Sequence, residues 1–504
     1  MILALLLAGL AGFVALSYEI LWYRAYSFVS GGAAPAFSLM LGAYLLGIAL
    51  GSRFSRRFCA TGEAGVPLLT LGRFILLANL LGYLFVPTLS WLVTLPEVRW
   101  TWTFPLVTVV SCGLGTILPL VSHQAVPPDG RAGARVSWIY FANIVGSTTG
   151  SLLTGFWLSD LWPLRTISLF LVILGAAMGA IALQSGSRGG RRALRFAAAA
   201  AVAGVAALLH PWIFDGLYER MVLKSAYTPS SRFLDVIENR SGVVTVYRDG
   251  TFLGGGRYDG SVNTSIFKDR NGIFRAYALA GLHPRPREIL MIGLSTGSWV
   301  SVIAENPEVE RVTVVEINPG YFGPIRRFPE VSGVLDHPKV RIEIDDARRW
   351  LVRNRDRRFD VIVSNTTPHW RAHVTNLLSS EFLELAKSRL NPGGILFYGT
   401  TGSRRAIYTG VTLFPHALFL QKNLLVVGEQ PVAFDEERWK SVLRRYRRLG
   451  RPVFEAADEA RLQDFAQAIR SEFKPVDELR RVLAGEALLT DDSMGNEWTG
   501  YPVD

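Results

Sequence analysis

A chain of 504 residues that is 49% hydrophobic, with a mean hydropathy of +0.25, is too apolar for an ordinary soluble enzyme and long enough for two or more domains. Its net charge of +11 does not call for nucleic acid, because arginines beside membrane spans and on a soluble surface account for the excess. The two cysteines, Cys59 and Cys112, both lie in the apolar half, which excludes a disulfide framework and a zinc site, and no metal-binding cluster is expected.

Seven apolar stretches follow one another near Ile2–Tyr23, Ala34–Gly51, Leu68–Leu95, Phe104–Gln124, Val136–Leu158, Leu164–Leu183 and Ala193–Ile213. Each approaches the roughly 20 residues that cross a bilayer, so residues 1–213 read as a transmembrane helical bundle in the cytoplasmic membrane, with the lipid bilayer as its partner. The first stretch lacks a basic start and runs into Tyr18, Glu19, Trp22 and Arg24 rather than a small-residue cleavage site, so it reads as a retained span. Glycines four apart, Gly47 with Gly51, Gly146 with Gly150 and Gly175 with Gly179, predict close helix contacts in a compact bundle. Glu19 is expected to form a structural salt bridge with Arg24, and Arg73 to face the bundle interior or water.

Arginines gather after the second stretch (Arg53, Arg56, Arg57), the fourth (Arg131, Arg135) and the sixth (Arg188, Arg191, Arg192), whereas the alternate loops carry Arg24, Arg99 and Arg165. The positive-inside rule makes the richer loops cytoplasmic, and seven spans would then carry the C-terminal half outside. A nucleotide-type ligand points the other way. With the alanine-rich seventh stretch read as an interfacial segment or hairpin, the soluble domain is expected in the cytosol.

From Asp215 the composition turns polar. Residues 214–287 read as a linker and a β-hairpin subdomain, with turns at Arg240-Ser241-Gly242, Asp249-Gly250 and Asp259-Gly260. Residues 288–504 alternate strand and helix: strands at Glu288–Ile292, Arg311–Val315, Val340–Ile344 and Phe359–Ser364, a helix over Ser379–Leu390, then an Asn391-Pro392-Gly393-Gly394 turn and a strand to Tyr398. The fold class is a multi-span α-helical membrane domain followed by an α/β Rossmann-like domain of the class I methyltransferase type. A basic helix over Arg438–Arg448 is expected to be solvated or to rest on lipid headgroups.

Ligands of such sheets bind outside the carboxyl ends of the strands. Gly293 and Gly297, with Ser295 and Thr296 between them, allow a tight turn whose backbone N–H groups approach a ligand. Glu316 ends the next strand and suits a carboxylate accepting from both hydroxyls of a ribose. Asp345 or Asp346, ending the third, suits a purine amino group. Together they predict a nucleoside site. Trp299 and Trp370 are candidates for its walls.

The stretch from Ser241 to Tyr398 resembles the spermidine synthase (polyamine aminopropyltransferase) family, and especially its membrane-fused relatives. The match lies in Asp259-Gly260 with Asn263 at the family's glutamine, Ile292-Gly293-Leu294-Ser295-Thr296-Gly297, Val315-Glu316-Ile317, Asp345-Asp346-Ala347-Arg348 and Phe359-Asp360-Val361-Ile362. Further similarity lies at Tyr18-Glu19, Trp22 and Arg24, at Tyr140, Asn143, Gly146 and Gly150, and at Leu489-Thr490-Asp491-Asp492. The resemblance implies a transferase that takes an aminopropyl group from decarboxylated S-adenosylmethionine to a small-molecule amine, releasing methylthioadenosine, as in polyamine biosynthesis, with Asn263 at the donor site. Two positions depart from the family: Thr296 and Asn365 stand where it has aspartates. An amide is no base near neutral pH, so Asn365, His369, Asp491 and Asp492 form the candidate catalytic set. Two alternatives stay open: an S-adenosylmethionine-dependent methyltransferase acting on a membrane-accessible acceptor, and a non-catalytic nucleoside- or polyamine-sensing membrane module. Self-association into a homo-oligomer also stays open.

Overall fold

The computed structural model describes residues 1–59, 68–185, 191–365, 367–420 and 423–503. Its N-terminal half is a bundle of α1 (Ile2–Val29), α2 (Pro35–Cys59), α3 (Leu68–Leu92), α4 (Phe104–Gly115), α5 (Ile117–Ala125), α6 (Ala132–Leu152), α7 (Leu164–Ser185) and α8 (Arg191–Ile213). Among the described residues, six segments are long and apolar enough to cross a membrane, with α4 and α5 together forming the fourth. The fifth expected span is helical as α6 but falls short in apolarity, because Asn143, Ser147, Thr148 and Thr149 dilute it. Asn143 uses its polarity against α1, its Nδ2 donating to Ala8 O at 3.0 Å.

The helices pair as α1 with α6, α2 with α4 and α3 with α7, and glycines sit at the contacts. A Cβ at Gly146 would stand 1.8 Å from Gly9 O, one at Gly150 2.3 Å from Phe13 O, and one at Gly51 2.0 Å from Cys112 O. Backbone therefore touches backbone, which lipid-embedded helices need because lipid supplies no hydrophobic drive between them. The expected Glu19–Arg24 salt bridge is absent among the described residues. Five residues apart on α1, the two point to different faces, and Arg24 instead donates to Asn239 O of the soluble half at 2.9 Å.

The seventh apolar stretch is a complete helix. α8 runs back along α7, with Arg195 Nη1 donating to Leu183 O at 3.4 Å, and Tyr83 of α3 donates to Ala206 O at 3.1 Å. The ends of the bundle are therefore distinct. Arg53, Arg56, Arg57, Arg131 and Arg135 lie at the end where α1 begins and α2 and α5 finish; Arg188 lies outside the described residues. The soluble half sits at the other end. Arg240 pairs with Asp160 at 3.4 Å, Leu164 N donates to Glu238 at 2.7 Å, and Trp100 Nε1 donates to Pro502 O at 3.2 Å.

The soluble half begins with an antiparallel four-stranded sheet, β1 (Asp235–Asn239), β2 (Gly242–Val246), β3 (Thr251–Gly254) and β4 (Arg257–Ser261). The first two turns fall where expected, but the third is at Gly255-Gly256, whose φ angles of +56° and +78° suit a tight hairpin. Asp259-Gly260 lies inside β4. Its glycine serves close approach, since a Cβ there would meet Ser295 Oγ at 2.8 Å. The main sheet has eight strands: β5 (Glu288–Ile292), β6 (Arg311–Glu316), β7 (Val340–Ile344), β8 (Phe359–Ser364), β9 (Leu390–Gly399), β10 (His416–Leu420), β11 (Leu424–Gly428) and β12 (Phe473–Pro475). Their order is β12-β10-β11-β9-β8-β5-β6-β7, with β5 to β9 parallel and β10 to β12 antiparallel. The chain leaves β5 toward β6 and later returns to its other side with β8, so the switch point lies at the end of β5. Asn391-Pro392-Gly393-Gly394 opens β9 rather than standing as a separate turn. The expected basic helix is shorter, Glu436–Leu443. Its neighbours are acidic: Glu308 takes Arg438 and Arg445, and Glu459 takes Arg444 at 2.6 Å.

Gly146→Leu is expected to destabilise the bundle by about 1–3 kcal/mol, because main chain cannot move aside as a side chain can. Gly42→Leu, where no atom lies within 4 Å of an added Cβ, is expected to leave stability unchanged. Thermal melting of the detergent-purified chain measures both.

Candidate functional site

The glycine loop after β5 is bent by three left-handed residues, Gly293 (φ +90°), Ser295 (φ +50°) and Gly297 (φ +75°). Gly297 caps the helix Ser298–Ala304, and Gly293 N donates to Val315 O at 2.9 Å, joining the loop to β6. β6 delivers Glu316 beside it. One carboxylate oxygen accepts from Leu294 N at 2.7 Å and the other from Asn318 N at 2.7 Å, so the side chain is clamped between the loop and the start of the next segment. Burial raises its pKa to about 7 against these two stabilising N–H groups, and the charge on Asp259 adds to the rise.

Glu316 faces a cavity of about 370 Å³ at the switch point. Gly293, Ser295 and Thr296 line it from β5, Asp345 and Asp346 from β7, and Asn365 and Thr367 from β8. Trp299 and Tyr321 add aromatic wall, while Ser27 reaches in from the end of α1. The nucleoside-type groups expected from the strand ends are therefore brought together. The two aspartates differ in freedom. Asp345 is ion-paired with Arg349 and lies 3.5 Å from Arg353. Asp346 caps the helix Ala347–Arg353, its Oδ1 accepting from Arg349 N at 2.8 Å, which leaves Oδ2 for a ligand.

Other expected residues fall elsewhere. Asn263 is absent from the cavity wall because its amide holds its own loop, donating to Arg270 O at 2.9 Å and accepting from Ser265 N at 3.0 Å. His369 turns away, its Nδ1 3.3 Å from Thr401 O, and His373 lines the cavity instead. Trp370 is buried under Arg257 outside the cavity wall. Asp491 is paired with Arg348, Nη1 to Oδ1 2.7 Å, which holds its carboxyl below the usual carboxylate range. Asp492 is exposed and also away from the cavity. The C-terminal residue that acts on the site is Glu497. Buried, it accepts from His373 N and Thr375 N at 2.9 Å each and fixes the loop after β8.

Two charged groups in the wall were not singled out as site residues from the sequence. Asp259 on β4 accepts from the Tyr321 hydroxyl, and Arg371 follows Trp370 in the loop after β8. The Asp259-Gly260 pair did signal the region, as a turn and as part of the family resemblance, but with no role assigned to Asp259. Nothing local marks Arg371, which reaches the site because residues 370–372 pair with the α1–α2 loop: Ala34 N donates to Trp370 O at 3.3 Å and Ala372 N to Gly32 O at 2.9 Å.

Part of the chain is similar to known proteins. Residues 278–403 match the spermine/spermidine synthase domain. A spermidine synthase of Dictyostelium discoideum is 35% identical over 115 residues, 23% of this chain and 40% of that protein. Polyamine aminopropyltransferase 1 of Pseudomonas aeruginosa is 37% identical over 117 residues, with the same shares. The chain thus spans about two fifths of the length of these curated relatives. The crystal structure of spermidine synthase from Thermotoga maritima aligns over 51% of this chain and 86% of its own, at 17% identity and a TM-score of 0.33. From the glycine loop through β9, on a helical bundle with six membrane-length segments, the chain is spermidine synthase-like.

Proposed function

We propose that the protein is a membrane-embedded transferase that binds an S-adenosylmethionine-type donor in this cavity and passes its aminopropyl group to an amine. The observation that carries the proposal is the clamped Glu316 carboxylate between the glycine loop and Asn318, with Asp346 Oδ2 at the next strand end. Glu316 takes the ribose hydroxyls and Asp346 the purine amino group. In the reaction the acceptor nitrogen's lone pair attacks the aminopropyl carbon next to the sulfonium. A C–N bond forms, the C–S bond breaks with its electrons passing to sulfur, methylthioadenosine leaves, and the new ammonium sheds a proton. Asn365 cannot take that proton. His369, Asp491 and Asp492 do not face the cavity, so Asp259 and His373 are the wall groups able to accept it.

The bundle's polarity favours a second reading. The arginine-rich loops and the soluble half lie at opposite ends, so the positive-inside rule puts the cavity on the non-cytoplasmic face. We propose this orientation in place of the cytosolic one expected from donor supply. A cavity on that face fits a module that senses nucleosides without turnover.

Calorimetry of the detergent-purified chain with methylthioadenosine, adenosylmethionine and decarboxylated adenosylmethionine, followed by mass analysis with putrescine, tests the first reading. Methylthioadenosine release establishes aminopropyl transfer. Adenosylhomocysteine release replaces it with methyl transfer, and binding without product replaces it with the sensor. Glu316→Ala is expected to weaken methylthioadenosine binding at least ~30-fold, from the loss of two charge-assisted hydrogen bonds; unchanged affinity refutes the site.

The pKa near 7 sets a pH dependence. Hydroxyl donors favour the ionised carboxylate, so methylthioadenosine affinity is expected to rise as pH climbs through 7 and level off above it. The same raised pKa makes Glu316 cost folding stability, progressively as pH rises from its unfolded value near 4.5 to about 7. A flat calorimetric profile from pH 6 to 8 contradicts this. Asn365→Asp is expected to raise aminopropyl transfer to putrescine at least tenfold, read as product per enzyme. For orientation, a cysteine at Arg248, with Cys59 and Cys112 replaced, is expected to react with a membrane-impermeant maleimide on intact cells.

A further inference from the structure

Arg371 is an anomaly for a site that would grip a polyamine. Its guanidinium stands in the cavity wall and makes no hydrogen bond or ion pair with any described residue. Space is made for it on both sides: a Cβ at Gly32 would lie 2.9 Å from its Nε, and one at Gly255 2.9 Å from an Nη. Both glycines have positive φ, +84° and +56°. The neighbouring charges are Asp259, whose carboxylate is turned to the Tyr321 hydroxyl, and Arg257, which lies over Trp370 at 5.2 Å. A second cation, Arg275, lies over Trp299 at 5.0 Å. This end of the cavity thus offers one carboxylate and an unpaired guanidinium. A diamine brings two ammonium groups and no anion, so it would leave the half-buried guanidinium without an anionic partner.

We propose that the Arg371 and Asp259 end of the cavity holds the α-amino carboxylate head of an amino acid, carboxylate on Arg371 and ammonium on Asp259. The inference rests on the nucleoside site proposed above. Two molecules supply that head: the methionine end of adenosylmethionine itself, whose carboxylate is lost in the decarboxylated donor, or an amino acid acting as acceptor beside the nucleoside. A planar guanidinium takes a carboxylate through two parallel N–H bonds, which a lysine does not reproduce.

Calorimetry on the detergent-purified full chain separates the cases, using the wild type, Arg371→Gln, Arg371→Lys and Asp259→Asn. Methylthioadenosine lacks the head and reports on the nucleoside site and on folding; its affinity is expected to stay within about twofold in the two Arg371 variants. If the donor carries the head, adenosylmethionine binds the wild type roughly ten- to a hundredfold tighter than decarboxylated adenosylmethionine, and Arg371→Gln abolishes the difference. If the acceptor carries it, the two donors bind alike, and L-alanine binds the methylthioadenosine-saturated wild type but not Arg371→Gln. In either case Asp259→Asn weakens the same ligand and Arg371→Lys restores only part of the loss. The proposal is overturned if putrescine binds the saturated protein while L-alanine and adenosylmethionine show no dependence on Arg371. Failure of the wild type to bind methylthioadenosine overturns the nucleoside reading and this inference together. Normal methylthioadenosine binding without an Arg371 effect overturns this inference alone.

Discussion

The short backbone bridge between Gly32–Ala34 and Trp370–Ala372 makes one object of two halves that sequence composition separates. It joins the α1–α2 loop to the loop that follows β8, the strand end where the chemistry of such sheets is placed. Main-chain hydrogen bonds of this kind fix position without depending on side-chain identity. The surrounding ties act in the same direction. Arg24 donates to Asn239 O, Leu164 N donates to Glu238, and Gly256 leaves no room for a Cβ beside Phe28 O. Burial raises the Glu238 pKa against its hydrogen bonds from Leu164 and Tyr218, so this junction also holds a titratable carboxyl away from water. Ser27 in the cavity wall is a consequence of the docking: the bundle encloses part of the site as well as anchoring it.

Within the cavity, charge is arranged along a line of function. Glu316 is bound at both oxygens by main-chain N–H groups, an environment that orients the carboxylate before any ligand arrives. The glycine loop that supplies one of those groups holds its shape through left-handed residues at Gly293, Ser295 and Gly297, and Ser295 Oγ ties it to Asp259 O at 3.1 Å. Asp259 and Arg371 belong to different elements and are brought together only by tertiary contact.

That difference explains what was legible in the sequence. β5, β7 and β8 appear at the expected bounds, and β6 adds only Glu316, because short apolar runs between polar turns have few other ways to be buried. Gly293, Glu316 and Asp346 were legible for the same reason: each stands at a strand end, and strand ends of a parallel sheet converge. Asn263, His369 and Asp491 were placed by proximity in sequence or by family likeness, and each finds a partner nearer than the cavity: Arg270 O, Thr401 O and Arg348. Loops lack a period that fixes which side chain faces inward. Residue 369 turning out and residue 373 turning in is decided by Gly32 on one side and Glu497 on the other, 337 and 124 positions away from His369 and His373 respectively.

The C-terminal segment shows how a residue near a site in family terms can serve it without touching it. Asp491 is neutralised by Arg348 on the helix whose cap is Asp346, and Asp491 N donates to Glu381 at 3.1 Å. Asn496 accepts from Ser403 at 2.8 Å, and Glu497 clamps the backbone of His373 and Thr375. None of these restores a carboxylate beside Asn365. Yet together they brace both strand-end loops, the one carrying Asp346 and the one carrying Arg371. In the proposed transfer, Asn365 at the end of β8 supplies no base, so more of the rate would come from orientation of the two reactants, which those loops hold. The C-terminal brace therefore fixes the two loops on which the proposed reaction would depend.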